Sequence, residues 1–214
     1  MARFLRDNGL SMVVLGLFAI FLAGQTLTGW CDYNQDRQTR HEPRVNLLAY
    51  VTTGAYGEAV FENWESEFLQ MGIYVILTAK LYQRGSSESK DPDKPKEPIT
   101  IGPDSPGPIR KGGAAAWWYS HSLSFALLAL FVAAFVLHAI TGCHYYNEEA
   151  RDLGEPIFTT LQYMGSSRFW FESFQNWQSE FLAIGALVIL SIWLRERGSP
   201  ESKEVSAPHS QTGK

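Results

Sequence analysis

Long uncharged runs alternate with short polar stretches along the chain. The run from Gly9 to Gly29 contains no ionisable side chain, and the run from Ser122 to Gly142 contains only His138. A helix of that length rises about 31 Å, which matches a bilayer hydrocarbon core of about 30 Å. Both runs are therefore predicted to be membrane-spanning helices.

Two further runs are shorter and less apolar. Phe68–Tyr82 contains Lys80, so it reaches membrane length only if its helix begins near Glu62. A corresponding helix is predicted from about Gln175 to Leu194. The predicted fold class is an all-α membrane protein with four transmembrane helices.

An internal similarity relates the two halves of the chain. Residues 8–90 and 121–203 align without a gap at an offset of 113 residues, with about 31 of the 83 positions identical. The best-matched stretches are FENWESEFL at Phe61–Leu69 and FQNWQSEFL at Phe174–Leu182. Each half is therefore predicted to form one hairpin, and the two pseudo-symmetric hairpins insert in tandem the same way up.

The predicted organisation has four parts. They are a first transmembrane hairpin at residues 1–82, a flexible cytoplasmic linker at 83–116, a second hairpin at 117–197 and a disordered cytoplasmic tail at 198–214. The linker and tail are rich in Ser, Lys, Asp, Pro and Gly, a composition that cannot bury enough apolar area to fold. Short interfacial helices are expected in the outside loops, near Leu47–Tyr50 and Leu161–Tyr163.

The distribution of basic residues predicts the orientation. Lys and Arg concentrate before the first run, in the linker and after the last run, whereas the two loops between the runs are poorer in them. The positive-inside rule then places both termini and the linker in the cytoplasm. The net charge is −4, and no basic patch with interleaved aromatic residues indicates nucleic acid.

A secretory signal peptide is the alternative interpretation of the N-terminus. No convincing small-residue cleavage site follows the first run, and Trp30 precedes Cys31 where a lipoprotein site would need a small residue. The same helix also recurs at residues 122–142, where a signal peptide cannot lie. The pattern therefore favours a retained helix.

A polar layer is predicted in the outer third of the bilayer. Glu67 lies about 21 Å above the cytoplasmic end of its helix, and Gln25 lies about 24 Å above Gly9. Helical spacing places Asn63, Ser66, Glu67 and Gln70 on one face. The predicted layer comprises Gln25, Asn63, Ser66, Glu67, His138, Asn176, Ser179 and Glu180.

This layer has a functional and a structural interpretation. A carboxylate inside a membrane is costly and is normally paired, protonated or in contact with water. In the functional interpretation, Glu67 and Glu180 titrate and His138 is their partner. In the structural one, hydrogen bonds worth about 1 kcal/mol each join the helices, or Glu67 lies at headgroup depth. The structural interpretations are favoured because both halves keep the motif, whereas only one contains the histidine.

The cysteines and histidines indicate no reaction. Cys31 and Cys143 lie at the outer ends of the first and third helices, where a disulfide and two unpaired thiols both remain open. His121 and His138 are about 25 Å apart along one helix and cannot share a metal ion. No ligand spacing indicates a metal, haem or other cofactor. No nucleophile, phosphate-binding or dinucleotide motif indicates an enzyme.

The tandem hairpins and the doubled FxNWxSEFL motif carry a resemblance. From Arg3 to Lys203 the chain resembles an uncharacterised bacterial transmembrane family, a domain of unknown function. The resemblance implies the bacterial inner membrane and no activity. We predict a non-enzymatic scaffold or accessory subunit, whose partners are the lipid bilayer and a second copy or another membrane protein. The alternative is a small proton- or cation-coupled transporter or channel that uses Glu67 and Glu180, and a membrane oxidoreductase is a distant third.

Overall fold

The computed structural model describes residues 2–94, 98 and 100–213, and all regular structure in this part of the chain is helical. The helices are α1 (Ala2–Thr39), α2 (Leu47–Tyr50), α3 (Gly54–Lys80), α4 (Gly107–Lys111), α5 (Gly113–Ser120), α6 (Ser122–Leu153), α7 (Thr160–Met164) and α8 (Ser167–Leu190). The predicted all-α class is confirmed. The short helices expected in the two loops are present as α2 and α7.

Two of these helices are apolar and long enough to cross a bilayer. Within the described residues they are Arg6–Thr39 of α1 and Ser122–Leu153 of α6. The helices α3 and α8 contain 27 and 24 residues and are long enough to cross a bilayer. Their sequences are too polar for either helix to count as a candidate membrane span. The structure therefore supports two candidate spans, and the prediction of four is not confirmed.

The chain divides into two compact units. The first unit consists of Met1–Val60 and Leu137–Gly165, and the second consists of Phe61–Val136 and Ser166–Lys214. Helices α3 and α6 each contribute residues to both units.

Close glycine contacts shape the first unit. A Cβ atom on Gly29 would collide with the hydroxyl of the buried Tyr50. Likewise, a Cβ atom on Gly142 would lie 2.7 Å from the hydroxyl of Tyr163, which is fully buried. At Gly54 the neighbouring atom belongs to the backbone, because the added Cβ atom would lie 2.5 Å from the backbone nitrogen of Tyr145. Only glycine permits these approaches at native packing density.

Two asparagines clamp the loops of the first unit. The Asn34 amide accepts from the backbone N–H of Val45 at 2.8 Å and donates to its carbonyl at 3.0 Å. The Asn147 amide makes the same pair of bonds with Phe158, at 2.7 and 2.8 Å. Each asparagine thus satisfies both backbone groups of a loop residue.

Helices α1 and α6 end in the same way. His41 has φ 61° and Gly154 has φ 69°. The backbone N–H of Glu42 donates to Arg37 O and that of Glu155 donates to Ala150 O, both at 2.8 Å. A left-handed residue followed by this bond is a common helix terminus. His41 adopts the conformation without the freedom of glycine.

The second unit contains α8, most of α3 and the first half of α6. Gln70 on α3 donates to the carbonyl of Glu180 on α8 at 3.0 Å. A Cβ atom on Gly72 would lie 3.1 Å from the Leu128 side chain. The Phe131 and Trp177 rings lie edge to face at 6.3 Å. These contacts pack the three helices together.

The linker and the tail meet within the second unit. The Lys203 side chain is 1% exposed, and its ammonium lies within hydrogen-bonding distance of four backbone carbonyls. The acceptors are the carbonyl oxygens of Gly85, Ile192, His209 and Gln211. Ser86 Oγ lies 2.8 Å from Ser191 Oγ, and Gly213 N donates to Ser86 O at 2.9 Å.

Flexibility of the linker and disorder of the tail stay predictions. The predicted linker nevertheless contains α4 and the start of α5. Its residues 95–97 and 99, like residue 214 of the predicted tail, lie outside the described residues.

Candidate functional site

Helix α1 continues well beyond its apolar run. The run ends at Gly29 and the helix ends at Thr39, which adds about 15 Å of helix at 1.5 Å per residue. Helix α6 likewise continues from Gly142 to Leu153. No proline or glycine interrupts either extension, so the helices end only at the left-handed residues His41 and Gly154.

The two extensions line a cavity of about 320 Å³ in the first unit. It is lined by Tyr33, Arg37, Arg40, Glu42, Tyr145, Glu148, Arg151 and Asp152, which we call the charged cavity. Three guanidinium groups face three carboxylates, with two phenols completing the wall. The formal charge of the lining is therefore zero.

Ion pairs fix part of the wall. Arg40 Nη1 donates to Asp152 Oδ2 at 3.0 Å and so joins the end of α1 to α6. Arg37 pairs with Glu42 at 2.9 Å, donates to the carbonyl of Pro43 at 2.8 Å and lies 5.8 Å from the centre of the Tyr33 ring. Arg37 is therefore held by several contacts, and Arg40 is held by a contact that joins two helices.

The pKa of Arg40 reflects this pairing. Partial burial alone would lower it, but the hydrogen bond to Asp152 and the negative charge of Asp152 together raise it above its usual value. Arg40 therefore stays charged at any physiological pH.

Glu148 and Arg151 differ from the other charged groups. Glu148 is half-buried and Arg151 is exposed. Among the described residues, the Glu148 carboxylate accepts no hydrogen bond and the Arg151 guanidinium donates none, although both line the cavity together with Arg37. The cavity thus offers one acceptor group and one donor group that the protein leaves open.

Two carboxylates are buried away from this cavity. In the first unit, Glu58 is 7% exposed and accepts a hydrogen bond from the Tyr163 hydroxyl at 3.1 Å. In the second unit, Glu65 is fully buried and accepts from the Trp177 indole at 2.9 Å. Each carboxylate ties two helices together, since buried polar groups need such partners.

Two further carboxylates lie close together in the second unit. Carboxylate oxygens of Glu62 on α3 and Glu172 on α8 lie within 4.8 Å of each other. Arg168 donates to Glu172 at 3.0 Å, one helical turn earlier on α8. The arginine compensates part of the negative charge of this pair.

The residues of the predicted polar layer have different environments. In the first unit, Gln25 donates to the carbonyl of Ala59 at 3.1 Å, and His138 is fully buried. In the second unit, burial divides the four residues expected to share one face of α3. Ser66 and Gln70 are buried, whereas Asn63 and Glu67 are exposed.

The second half of the predicted layer is bonded locally. Ser179 Oγ donates to Asn176 O at 2.8 Å, as Ser66 Oγ does to Asn63 O. Asn176 donates to the carbonyl of Glu172, and Glu180 is half-buried. A common depth in a bilayer stays a prediction.

The disulfide considered between Cys31 and Cys143 is not formed. Both are free thiols, and Cys31 is exposed whereas Cys143 is buried. The Cys143 thiol donates to the carbonyl of Phe158, the same carbonyl that Asn147 binds. This local bond positions the sulfur on its own loop, so of the two alternatives the structure has the pair of unpaired thiols.

Sequence reasoning selected Glu67 and missed Glu65. The motif repeats Glu67 at Glu180, whereas Glu65 corresponds to Gln178 and therefore attracted no attention. It also missed the charged cavity, although Tyr33, Arg37 and Arg40 have the helical spacing i, i+4, i+7. That spacing was available in the sequence, but the extension had been assigned to a loop.

Comparison with known proteins gives a family. No curated protein and no solved structure matches the chain. The family model described as "Domain of unknown function (DUF6766)" matches residues 1–214, the whole chain. The chain therefore belongs to the DUF6766 family.

Proposed function

We propose that the chain is a multi-pass protein of the bacterial inner membrane and acts as a non-enzymatic scaffold or accessory subunit. Membrane association is supported by the exposed apolar surface of α1, where Leu10 is 78% and Phe21 is 69% exposed. Such a continuous apolar surface is unfavourable in water and is expected to be covered by lipid or by another membrane protein.

In this proposal all four long helices cross the bilayer as two tandem hairpins. Helices α3 and α8 are long enough, and the polar groups of α3 that face other helices are bonded there, as with Glu65 and Gln70. Both termini and the linker are cytoplasmic because Lys and Arg concentrate there. A tandem duplication is supported by the paired contacts of Asn34 and Asn147.

A single observation carries the scaffold role. The buried carboxylates Glu58 and Glu65 accept hydrogen bonds from Tyr163 and Trp177, respectively, within one unit each. Groups used in this way hold helices together, which is the task of a scaffold. We expect partners to be a second copy of the chain or another membrane protein.

Reconstitution into liposomes tests this role. The scaffold proposal predicts that purified protein in vesicles with an internal pH-sensitive dye collapses an imposed pH gradient no faster than protein-free vesicles. Adding K⁺ or Na⁺ gradients should change nothing. A gradient collapse that depends on protein would contradict the scaffold role.

A carrier is the second candidate, and one observation favours it. In the second unit, Gln70, which follows Glu67 on α3 by one helical turn, donates to the carbonyl of Glu180 on α8, so the two glutamates lie where these helices meet. If the protein does conduct protons or cations, the double variant Glu67→Gln/Glu180→Gln should abolish the flux while leaving the thermal midpoint within a few degrees. The matched control is Glu155→Gln, an exposed residue, which should leave the flux unchanged.

A further inference from the structure

We propose that the charged cavity binds a small zwitterion that carries a primary ammonium group and an oxyanion. The inference goes beyond the scaffold role and does not depend on how many helices cross the bilayer, because every lining residue belongs to the first unit. Its starting point is the pair of cavity-lining side chains, Glu148 and Arg151, that the described residues leave without hydrogen bonds.

Charge balance selects the ligand class. Three guanidinium groups and three carboxylates line the cavity, so a net anion or a net cation would add an uncompensated charge. A zwitterion adds none. Its ammonium group can donate to the open carboxylate of Glu148, and its oxyanion can accept from the fork-shaped guanidinium of Arg151.

The other charges prepare the wall for binding. The Arg40–Asp152 pair and the Arg37–Glu42 pair are already formed at 3.0 and 2.9 Å. A ligand therefore finds these side chains ordered and does not have to order them, which favours affinity. The volume of about 320 Å³ lies at the lower end of the range for small-molecule sites.

The cavity residues and the residues that make the structural contacts differ in how well they match between the two halves of the chain. The contacts that define the first unit fall on matched pairs, such as Gly29 with Gly142 and Asn34 with Asn147. Five of the six cavity charges fall on unmatched positions, and only Glu42 has an identical counterpart, Glu155. The five are Arg37, Arg40, Glu148, Arg151 and Asp152, which correspond to Ala150, Leu153, Gln35, Gln38 and Thr39. Charges required for the shared fold would be expected in both halves, so these five charges have a separate role.

Two sources of such a zwitterion can reach the cavity. Tyr33 lies about 6 Å and Arg40 about 16 Å beyond Gly29 along α1, at 1.5 Å per residue. The headgroup layer on each side of a bilayer is about 5–8 Å thick. The cavity therefore extends from headgroup depth into water, and both an ethanolamine phospholipid headgroup and a free amino acid have the required chemistry.

Titration calorimetry of the full-length protein in a maltoside detergent tests the inference. The free-solute probes are neutral amino acids tested singly, each against its N-trimethyl derivative. The headgroup probes are glycerophosphoethanolamine and glycerophosphocholine. Within each pair the trimethylated member keeps the charge but cannot donate a hydrogen bond to Glu148, so it should bind at least tenfold more weakly.

Three variants connect binding to the cavity. Glu148→Gln and Arg151→Gln should each weaken binding at least tenfold, while Glu155→Gln, outside the lining, should not change it. Because neither of the two cavity side chains makes a hydrogen bond in the structure, the thermal midpoints should match the unmodified protein. Binding of amino acids alone identifies a free solute, and binding of glycerophosphoethanolamine alone identifies a lipid headgroup. Absence of binding by both, equal affinity for the trimethylated member, or unchanged affinity in Glu148→Gln would overturn the inference.

Discussion

Residues 8–90 and residues 121–203 make the same contacts where the fold is built and different contacts where charges gather. Each half packs a glycine on a buried tyrosine, clamps a loop with an asparagine and ends a long helix at a left-handed residue. The charged cavity and the buried ammonium of Lys203 have no such counterpart. The shared contacts therefore specify the fold, and the positions that differ between the halves carry the features that are specific to one half.

The end of each half illustrates the difference. RGSSESK at Arg84–Lys90 corresponds to RGSPESK at Arg197–Lys203. In both, a serine accepts from a backbone N–H six residues earlier, at 2.8 Å for Ser89 and 3.0 Å for Ser202. The final lysines nevertheless differ, because Lys90 is exposed and Lys203 is buried among carbonyls. Nearly the same turn sequence therefore ends in an exposed lysine in one half and in a buried lysine in the other.

The largest effect is expected where the halves differ in backbone packing. Gly54→Ala places a Cβ atom 2.5 Å from the backbone nitrogen of Tyr145, whereas the corresponding Ser167 already carries a side chain. Backbone cannot move aside as a side chain can, so we expect a loss of about 3 kcal/mol in the free energy of unfolding. Thermal unfolding in detergent measures it.

Gly16→Ala is the control for this overpacking. Nothing lies within 4 Å of its added Cβ atom, and alanine is the better helix former, so its thermal midpoint should stay equal or rise. Equal thermal midpoints for Gly54→Ala and Gly16→Ala would show that the backbones of α3 and α6 are farther apart at Gly54 and Tyr145 than the structure has them.

Substitution of Lys90 and of Lys203 tests the difference between the two RGSxESK turns. Lys203→Met removes the donor for four carbonyl oxygens and should weaken tail docking by about 1.5–3 kcal/mol. Lys90→Met should have no effect. Amide hydrogen exchange across residues 204–213 reports the difference, and equally fast exchange before and after Lys203→Met would mean that the tail is not docked.

The asparagine clamps test whether matched contacts have matched energies. Asn34→Ala and Asn147→Ala each leave a loop N–H and carbonyl without their side-chain partner. We expect each to cost about 1–3 kcal/mol in unfolding free energy, and the two costs to be similar. A large cost in one half and none in the other would contradict the structural equivalence of the two clamps.

The smallest effect is expected for the ion pair that closes the cavity wall. Arg40 and Asp152 are both partly exposed, so a double-mutant cycle with Arg40→Gln and Asp152→Asn should give a coupling energy of about 0.2–1 kcal/mol that declines with added salt. Their counterparts, Leu153 and Thr39, cannot form such a pair. A coupling that is insensitive to salt would place the pair in a drier environment than its exposure indicates.

Much of the architecture could be predicted from the sequence because hydrophobic length and helical periodicity are local properties. The apolar runs at Gly9–Gly29 and Ser122–Gly142 predicted α1 and α6, and the apolar residues of Leu47–Tyr50 predicted a short helix. The extension of α1 to Thr39 was missed because polar composition was interpreted as loop, although no helix breaker occurs there.

The site was harder to predict because burial depends on neighbours that are distant in sequence. Glu65 and Glu67 are both polar residues on one helix, and only the position of Trp177 shows that Glu65 is the buried one. The Lys203 acceptors come from three separate parts of the chain. A single sequence gives periodicity and spacing, but it does not give which faces meet.

The account rests on the linker and the loop after α6 lying on opposite sides of the bilayer, and cysteine labelling measures this directly. In a background with Cys31→Ser and Cys143→Ser, a single cysteine is placed by Asp104→Cys in the linker or by Glu155→Cys beside the charged cavity. With a membrane-impermeant maleimide, the cysteine at position 155 should be labelled in intact cells, and the one at position 104 only after the membrane is permeabilised. Labelling of both positions in intact cells, or recovery of the protein in the soluble fraction without detergent, would contradict the account.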